Sequence, residues 1–150
     1  MSYAEGEPAT VQIPIRPIAV TLLLVSLVAC GRHYFGLYRT GISENQQALQ
    51  ELQLGMSAVS VRTIMGDGEV VRYNKLHLVD PWRSEAFSLA DGSDVLILFY
   101  VTQPPRKYYR PEDDALTPIV LEDDQVVGWG WTYLRQNHDR YRIATPQEQR

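Results

Sequence analysis

A single cysteine, Cys30, stands in the 150 residues, and histidine occurs only at positions 33, 77 and 138. One thiol cannot close an internal disulfide, and with no paired Cys/His spacing and no HExxH segment the usual zinc sites are excluded. Basic charge is scarce too: 14 Lys and Arg face 18 Asp and Glu, for a net charge of −4, which offers no basic face for nucleic acid. The longest apolar run, Ile18 to Ala29, falls short of the roughly 20 residues that cross a hydrocarbon core. Ser57, Ser60 and Thr63 have no base nearby in sequence, and the acid runs 112–114 and 122–124 lack the alternating ligands and mid-loop glycine of a calcium loop. Neither an enzyme nor a small-molecule substrate, cofactor or metal is expected.

What is present begins with Leu27-Val28-Ala29-Cys30, which closes the apolar run and reads as a lipoprotein cleavage site. Residues 1–29 are then a signal peptide, and Cys30 carries a thioether-linked diacylglycerol and an N-acyl chain of the palmitate type, since several chains anchor stably where one holds marginally. Gly31 rather than aspartate follows the cysteine, which favours the outer membrane, facing the periplasm of a bacterial envelope. The segment 30–42 reads as a lipidated tether whose Tyr34, Phe35 and Tyr38 lie either against the lipid interface or against the domain. The length that remains suits one domain, placed at 43–136 and followed by a polar tail, 137–150, with one short contact at Tyr141 and Ile143.

Ser43 with Gln46 forms a capping box for a helix that carries Ala48, Leu49 and Leu52 on one face and stops at Gly55. Ser57 caps a second helix with Val61, Ile64 and Met65 at helical spacing and Gly66 as terminator. Val70 to Leu78 stays open between a strand and an irregular connection, and Asp80-Pro81 marks a break. Glu85–Leu89 and Val95–Val101 make a hairpin across Ala90-Asp91-Gly92-Ser93, the second strand apolar on both faces and so central. Gln103 to Ala115, with two prolines followed by Arg106-Lys107-Tyr108-Tyr109-Arg110, reads as a long exposed loop. Thr117–Leu121 and Val126–Leu134 form the last hairpin. The expected class is α+β, with two short N-terminal helices on one face of a three- to four-stranded antiparallel sheet.

In the last strand Val127, Trp129, Trp131 and Tyr133 point one way and Gly128 and Gly130 the other, and a glycine track weakens a strand unless another element approaches closely. A helix or a neighbour's large side chain is expected over the glycines. The aromatic row is then either core or a patch for a protein partner, because Trp and Tyr are enriched at such surfaces. Trp82 and Arg83, beside Asp80 and Glu85, form either a loop held by an ion pair or a recognition surface together with Tyr108 and Tyr109.

Leu54-Gly55-Met56-Ser57, followed by Val61-Arg62 and Ile64-Met65-Gly66, resembles the helix pair of small envelope lipoproteins of the SmpA/OmlA type, the group that includes the small lipoprotein of the outer-membrane β-barrel assembly machine. Asp80 to Glu85, Leu98 to Thr102, Leu116 to Val120 and Val127-Gly128-Trp129-Gly130 look closer to a bacterial lipoprotein family with the pattern fYrTq…TPlvF…gkLvGWG. The likeness covers Leu49 to Leu134 and implies helices on one face of an antiparallel sheet. The Gly-Trp-Gly-Trp strand departs from the assembly lipoprotein, and no binding residue carries over. The expected role is a non-catalytic, lipid-anchored adaptor or scaffold contacting another envelope protein, in outer-membrane assembly or maintenance. The alternative is a module that inhibits or regulates a periplasmic enzyme. Cys30 would carry the anchor, and Trp129, Trp131, Tyr133, Trp82, Arg83, Tyr108 and Tyr109 the partner contact.

Overall fold

A computed structural model of the chain describes residues 33–73, 75–107 and 110–143. The chain divides into two units, Met1–His33 and Tyr34–Arg150, and apart from the first residue of the first helix the elements below belong to the second. Cys30, Tyr108 and Tyr109 lie outside the described residues.

Helix α1 covers residues 33–48 and runs into a 3-10 turn, Leu49–Glu51. Tyr38, Gly41, Ile42 and Asn45 recur at helical spacing and form its buried face. The helix therefore starts ahead of the Ser43 cap expected from sequence, and residues assigned to a tether contribute to the core. Helix α2, Ala58–Met65, begins as expected: the Ser57 hydroxyl accepts the Ser60 N–H at 3.3 Å, and Gly66 ends the helix at φ 95°.

Two antiparallel sheets follow. The first is a hairpin of β1, Gly68–Tyr73, and β2, Leu76–Asp80, which resolves the open stretch as two strands. The second is a four-stranded meander of β3, Arg83–Ser88, β4, Asp94–Val101, β5, Leu116–Glu122, and β6, Gln125–Trp129, in that order across the sheet. Asp123 and Asp124, at φ 47° and 64°, make the tight turn between β5 and β6 with the paired left-handed residues such turns require.

β4 is covered on both faces, as its apolar run requires: Ile97, Leu98, Phe99, Tyr100 and Val101 are all fully buried. Its odd residues Val95, Ile97, Phe99 and Val101 join Tyr38 and Ile42 of α1 and Leu78 of β2 in one core cluster. Its even residues Leu98 and Tyr100 join Val61 and Met65 of α2 in the other. The α+β class with antiparallel sheets thus holds, but the two N-terminal helices do not share one face. At 16 residues α1 spans about 24 Å, so its start packs in the first cluster while Ala48 and Leu49 at its end reach the second.

The last hairpin is shorter than the sequence suggests. β6 stops at Trp129, and Gly130, at φ 83°, turns the chain into helix α3, Gly130–Gln136, followed by α4, His138–Tyr141. Within the segment assigned to a tail, Tyr141 is buried and Arg140 is bidentate to Glu122, at 2.9 and 2.8 Å, and 3.0 Å from Asp91 Oδ2. That bond to Arg140 holds the Glu122 carboxyl below the usual range.

Candidate functional site

The break at Gly130 disperses the aromatic row. Trp129 stays on the strand and packs against the α2 cluster, while Trp131 and Tyr133, one on each side of Thr132 in α3, pack against the α1 cluster. Tyr133 is the large side chain expected over the glycines, but it covers Gly128 alone: a Cβ on Gly128 would run into its ring, whereas one on Gly130 would meet nothing within 4 Å. Its hydroxyl is 3.2 Å from that of Tyr141. Trp129 and Tyr133 are thus partly buried, each packed against a different core cluster.

Trp131 and Arg83 do converge, around Phe99 and the end of the long loop, with Trp82 next to Arg83 in sequence. Arg83 leaves β3 with its guanidinium 4.1 Å above the Phe99 ring, where the face of the π system attracts a cation. Its Nη1 reaches Asp113 Oδ1 at 2.8 Å. Its Nε is 3.4 Å from Glu85 Oε1 but outside hydrogen-bond geometry. Also beside Phe99, at 5.9 Å between ring centres, the Trp131 indole donates to the carbonyls of Asp113, at 3.0 Å, and Leu116, at 2.8 Å. Trp82, half-buried, meets His77 edge-on at 6.0 Å. Asp113 is thus gripped twice, by its side chain and by its backbone.

Further bonds pin the same loop base. Thr102 N–H and Gln103 N–H both donate to Ala115 O, at 3.0 and 3.1 Å, and Gln46 of α1 donates to Thr102 O at 2.6 Å. The Thr102 and Thr117 hydroxyls are 2.6 Å apart. Pro105 and Pro111 are buried, whereas Arg106, Lys107 and Arg110 between them are exposed. Arg106 stays 3.7 Å from Asp114, and Arg110 N–H closes a turn onto Lys107 O at 2.9 Å. The arrangement is a basic loop displayed from a rigid base.

Phe99, Asp113 and Gln46 were not legible as site residues, because a ring in a buried strand and a carboxylate in an acid run look like packing and solvation. The nearest signal was proline at both ends of the basic segment.

A second polar centre lies where α1, α2, β2 and β4 meet. Asn45 Nδ2 donates to Asp80 Oδ1 at 2.9 Å and to Val101 O at 3.2 Å, and the Tyr100 hydroxyl donates to Gly66 O at 3.1 Å. Asp80 is only 4% exposed, and burial pushes its carboxyl up to about 6, against the bond from Asn45 and helped by the charge of Glu44. Burial likewise raises the Tyr100 hydroxyl. Among the described residues no group of three or more His, Cys, Asp or Glu is placed to hold a metal ion.

The family described as "Protein of unknown function (DUF3192)" matches residues 38–136, from the buried Tyr38 of α1 to the end of α3. The match spans well over half of the chain, and the chain belongs to that family. No curated protein and no solved structure matches it.

Proposed function

We propose, taking membership of this family as the premise, that the protein is a non-catalytic adaptor of the bacterial envelope, anchored by lipid on Cys30, facing the periplasm and contacting another envelope protein. The observation that carries the reading is the double grip on Asp113, by Arg83 and by Trp131, which presents Arg106, Lys107 and Arg110 from a fixed base. Loops that carry function are positioned by rigid scaffolds in this way. The likeness to small envelope lipoproteins of the SmpA/OmlA type, and to the family with the GWG pattern, supports the same compartment. Gly31 after the cysteine supports the outer membrane.

A lipid on Cys30 would confine the domain near its membrane and raise the effective concentration of any partner in the same membrane, so weak contacts suffice.

The test has two parts. Mass spectrometry of the mature protein is expected to find acylated Cys30 at the N-terminus, and an intact leader with a free thiol overturns the anchor. A photo-crosslinker at Lys107 in cells is expected to capture one envelope protein, with the adduct reduced by Arg83→Gln, which frees Asp113. No adduct above background overturns the loop as the contact. Capture of a hydrolase whose rate changes on addition of the protein would select the regulatory alternative.

A further inference from the structure

The two edges of the four-stranded sheet are treated differently by the chain. The β6 edge is closed by the segment before α2: Gly55 N–H donates to Val126 O at 2.8 Å, and Val126 N–H donates to Met56 O at 2.9 Å. The β3 edge has no such cover, for among the described residues no backbone hydrogen bond reaches Arg83–Ser88 from outside its pairing with β4.

The register says which groups are left over. Leu89 N–H donates to Ser93 O at 2.9 Å, so Leu89 and Ser93 form a hydrogen-bonded pair, and the alternation of an antiparallel ladder continues it through Phe87–Val95, Glu85–Ile97 and Arg83–Phe99. The backbone groups of Ser84, Ala86 and Ser88 therefore face outward.

Natural edges are commonly blunted by charge, proline or a bulge. Here the three outward residues are small, uncharged and exposed. Arg83, the cation of the strand, is drawn away over Phe99 and onto Asp113.

A cleft of about 650 Å³ that runs from β3 across β4 to the β5–β6 turn is lined by Ala86 and Leu96 together with Asp94, Asp123 and Asp124. Each aspartate spends one oxygen within the fold: Asp94 Oδ1 accepts from the Ser88 hydroxyl, Asp123 Oδ1 from Asp94 N–H, and Asp124 Oδ1 from Ala58 N–H. The lining thus combines apolar side chains with three carboxylates.

We infer that the β3 edge takes up an extended segment of a partner polypeptide as a fifth strand. The ladder groups of Ser84, Ala86 and Ser88 bind its backbone, an apolar side chain lies over Ala86 and Leu96, and a lysine or arginine meets Asp94, Asp123 and Asp124. Strand addition of this kind takes its affinity from main-chain bonds and its specificity from alternate side chains. The inference goes beyond the basic loop and does not depend on the lipid anchor.

The probe is a synthetic heptapeptide, Thr-Lys-Thr-Phe-Thr-Lys-Thr, whose phenylalanine and lysines share one face of a strand, added to the isotope-labelled mature chain, with a counterpart in which both lysines are glutamates. The basic peptide is expected to slow amide exchange at Ser84, Ala86 and Ser88, to bind at least tenfold tighter than the acidic one, and to weaken with salt. Ala86→Lys, at an exposed position, is expected to leave the melting temperature unchanged and to reduce binding at least tenfold. Asp123→Asn with Asp124→Asn is expected to erase the preference for the basic peptide. Equal binding of the two peptides, protection away from β3, or concentration-dependent dimerisation with β3 as its interface would each overturn the inference. None of these outcomes bears on Cys30 or on crosslinking from Lys107, so the two proposals fail separately.

Discussion

Asp80→Asn is expected to stabilise the protein at neutral pH and to destabilise it slightly in acid. The carboxyl is 4% exposed and is pushed from its ordinary 3.8 to about 6 by burial, the bond from Asn45 notwithstanding. An acid whose folded-state value is raised binds its proton more tightly when folded. Its contribution to stability is therefore full below 3.8, falls as the pH rises through about 6, and is flat above that. At about 1.4 kcal/mol for each tenfold in proton affinity, carrying the charge at pH 7.5 costs the folded state about 3 kcal/mol. Asparagine keeps the acceptor for Asn45 Nδ2 and removes the charge. Its added N–H₂ needs an acceptor in a site where Gly66 O already receives Tyr100, which takes back about 1 to 2 kcal/mol.

The net expectation is a gain of about 1 to 2 kcal/mol at pH 7.5 that falls with pH and turns into a loss of about 1 to 2 kcal/mol near pH 4, where only the amide cost remains. The assay is urea unfolding of wild type and variant across pH 4 to 8, compared as differences. Glu122 and Asp91 are shifted the other way and shape both curves alike. A variant less stable at pH 7.5, or a difference that does not change with pH, refutes the reasoning and makes the carboxylate a favourable partner of Asn45.

Trp131→Phe keeps a ring against Phe99 and removes the donor to Asp113 and Leu116; a loss of about 1 to 2 kcal/mol is expected, together with faster proteolysis within 103–112, while unchanged cleavage would separate the indole from the loop. Gly128→Ala places a methyl 2.4 Å from the Tyr133 ring; thermal melting is expected to show a loss of about 1 to 3 kcal/mol, as overpacking commonly costs, and Tyr133→Leu in the same chain is expected to recover part of it.

Much of the framework was legible because single residues had one physical use. Ser57 and Gly66 bracket α2, and the unbroken apolar run of β4 can only be central. What was missed was missed for competing signals. Trp, Thr and Tyr favour strands, so Trp131-Thr132-Tyr133 read as a continuation of β6, although Gly130 permits the left-handed turn and Trp131 with Leu134 already shows helical spacing. Gly36 and Gly41 hid the Tyr34, Tyr38, Ile42 spacing of α1. The site was less legible than the fold, since Arg83 and Trp131 are 48 positions apart and meet only because β3, β4 and α3 bring both against Phe99.

The meander order of the larger sheet bears on how the chain acquires its structure. Every strand of that sheet pairs with its neighbour in sequence, so it can grow by successive local hairpins, each a matter of microseconds. α1 has no such local partner. Its Asn45 is bonded to Asp80, 35 residues on, and to Val101, 56 residues on. The helix that stands first in the folded domain is therefore among the last to be locked, and the closure that fixes it also buries the carboxyl of Asp80.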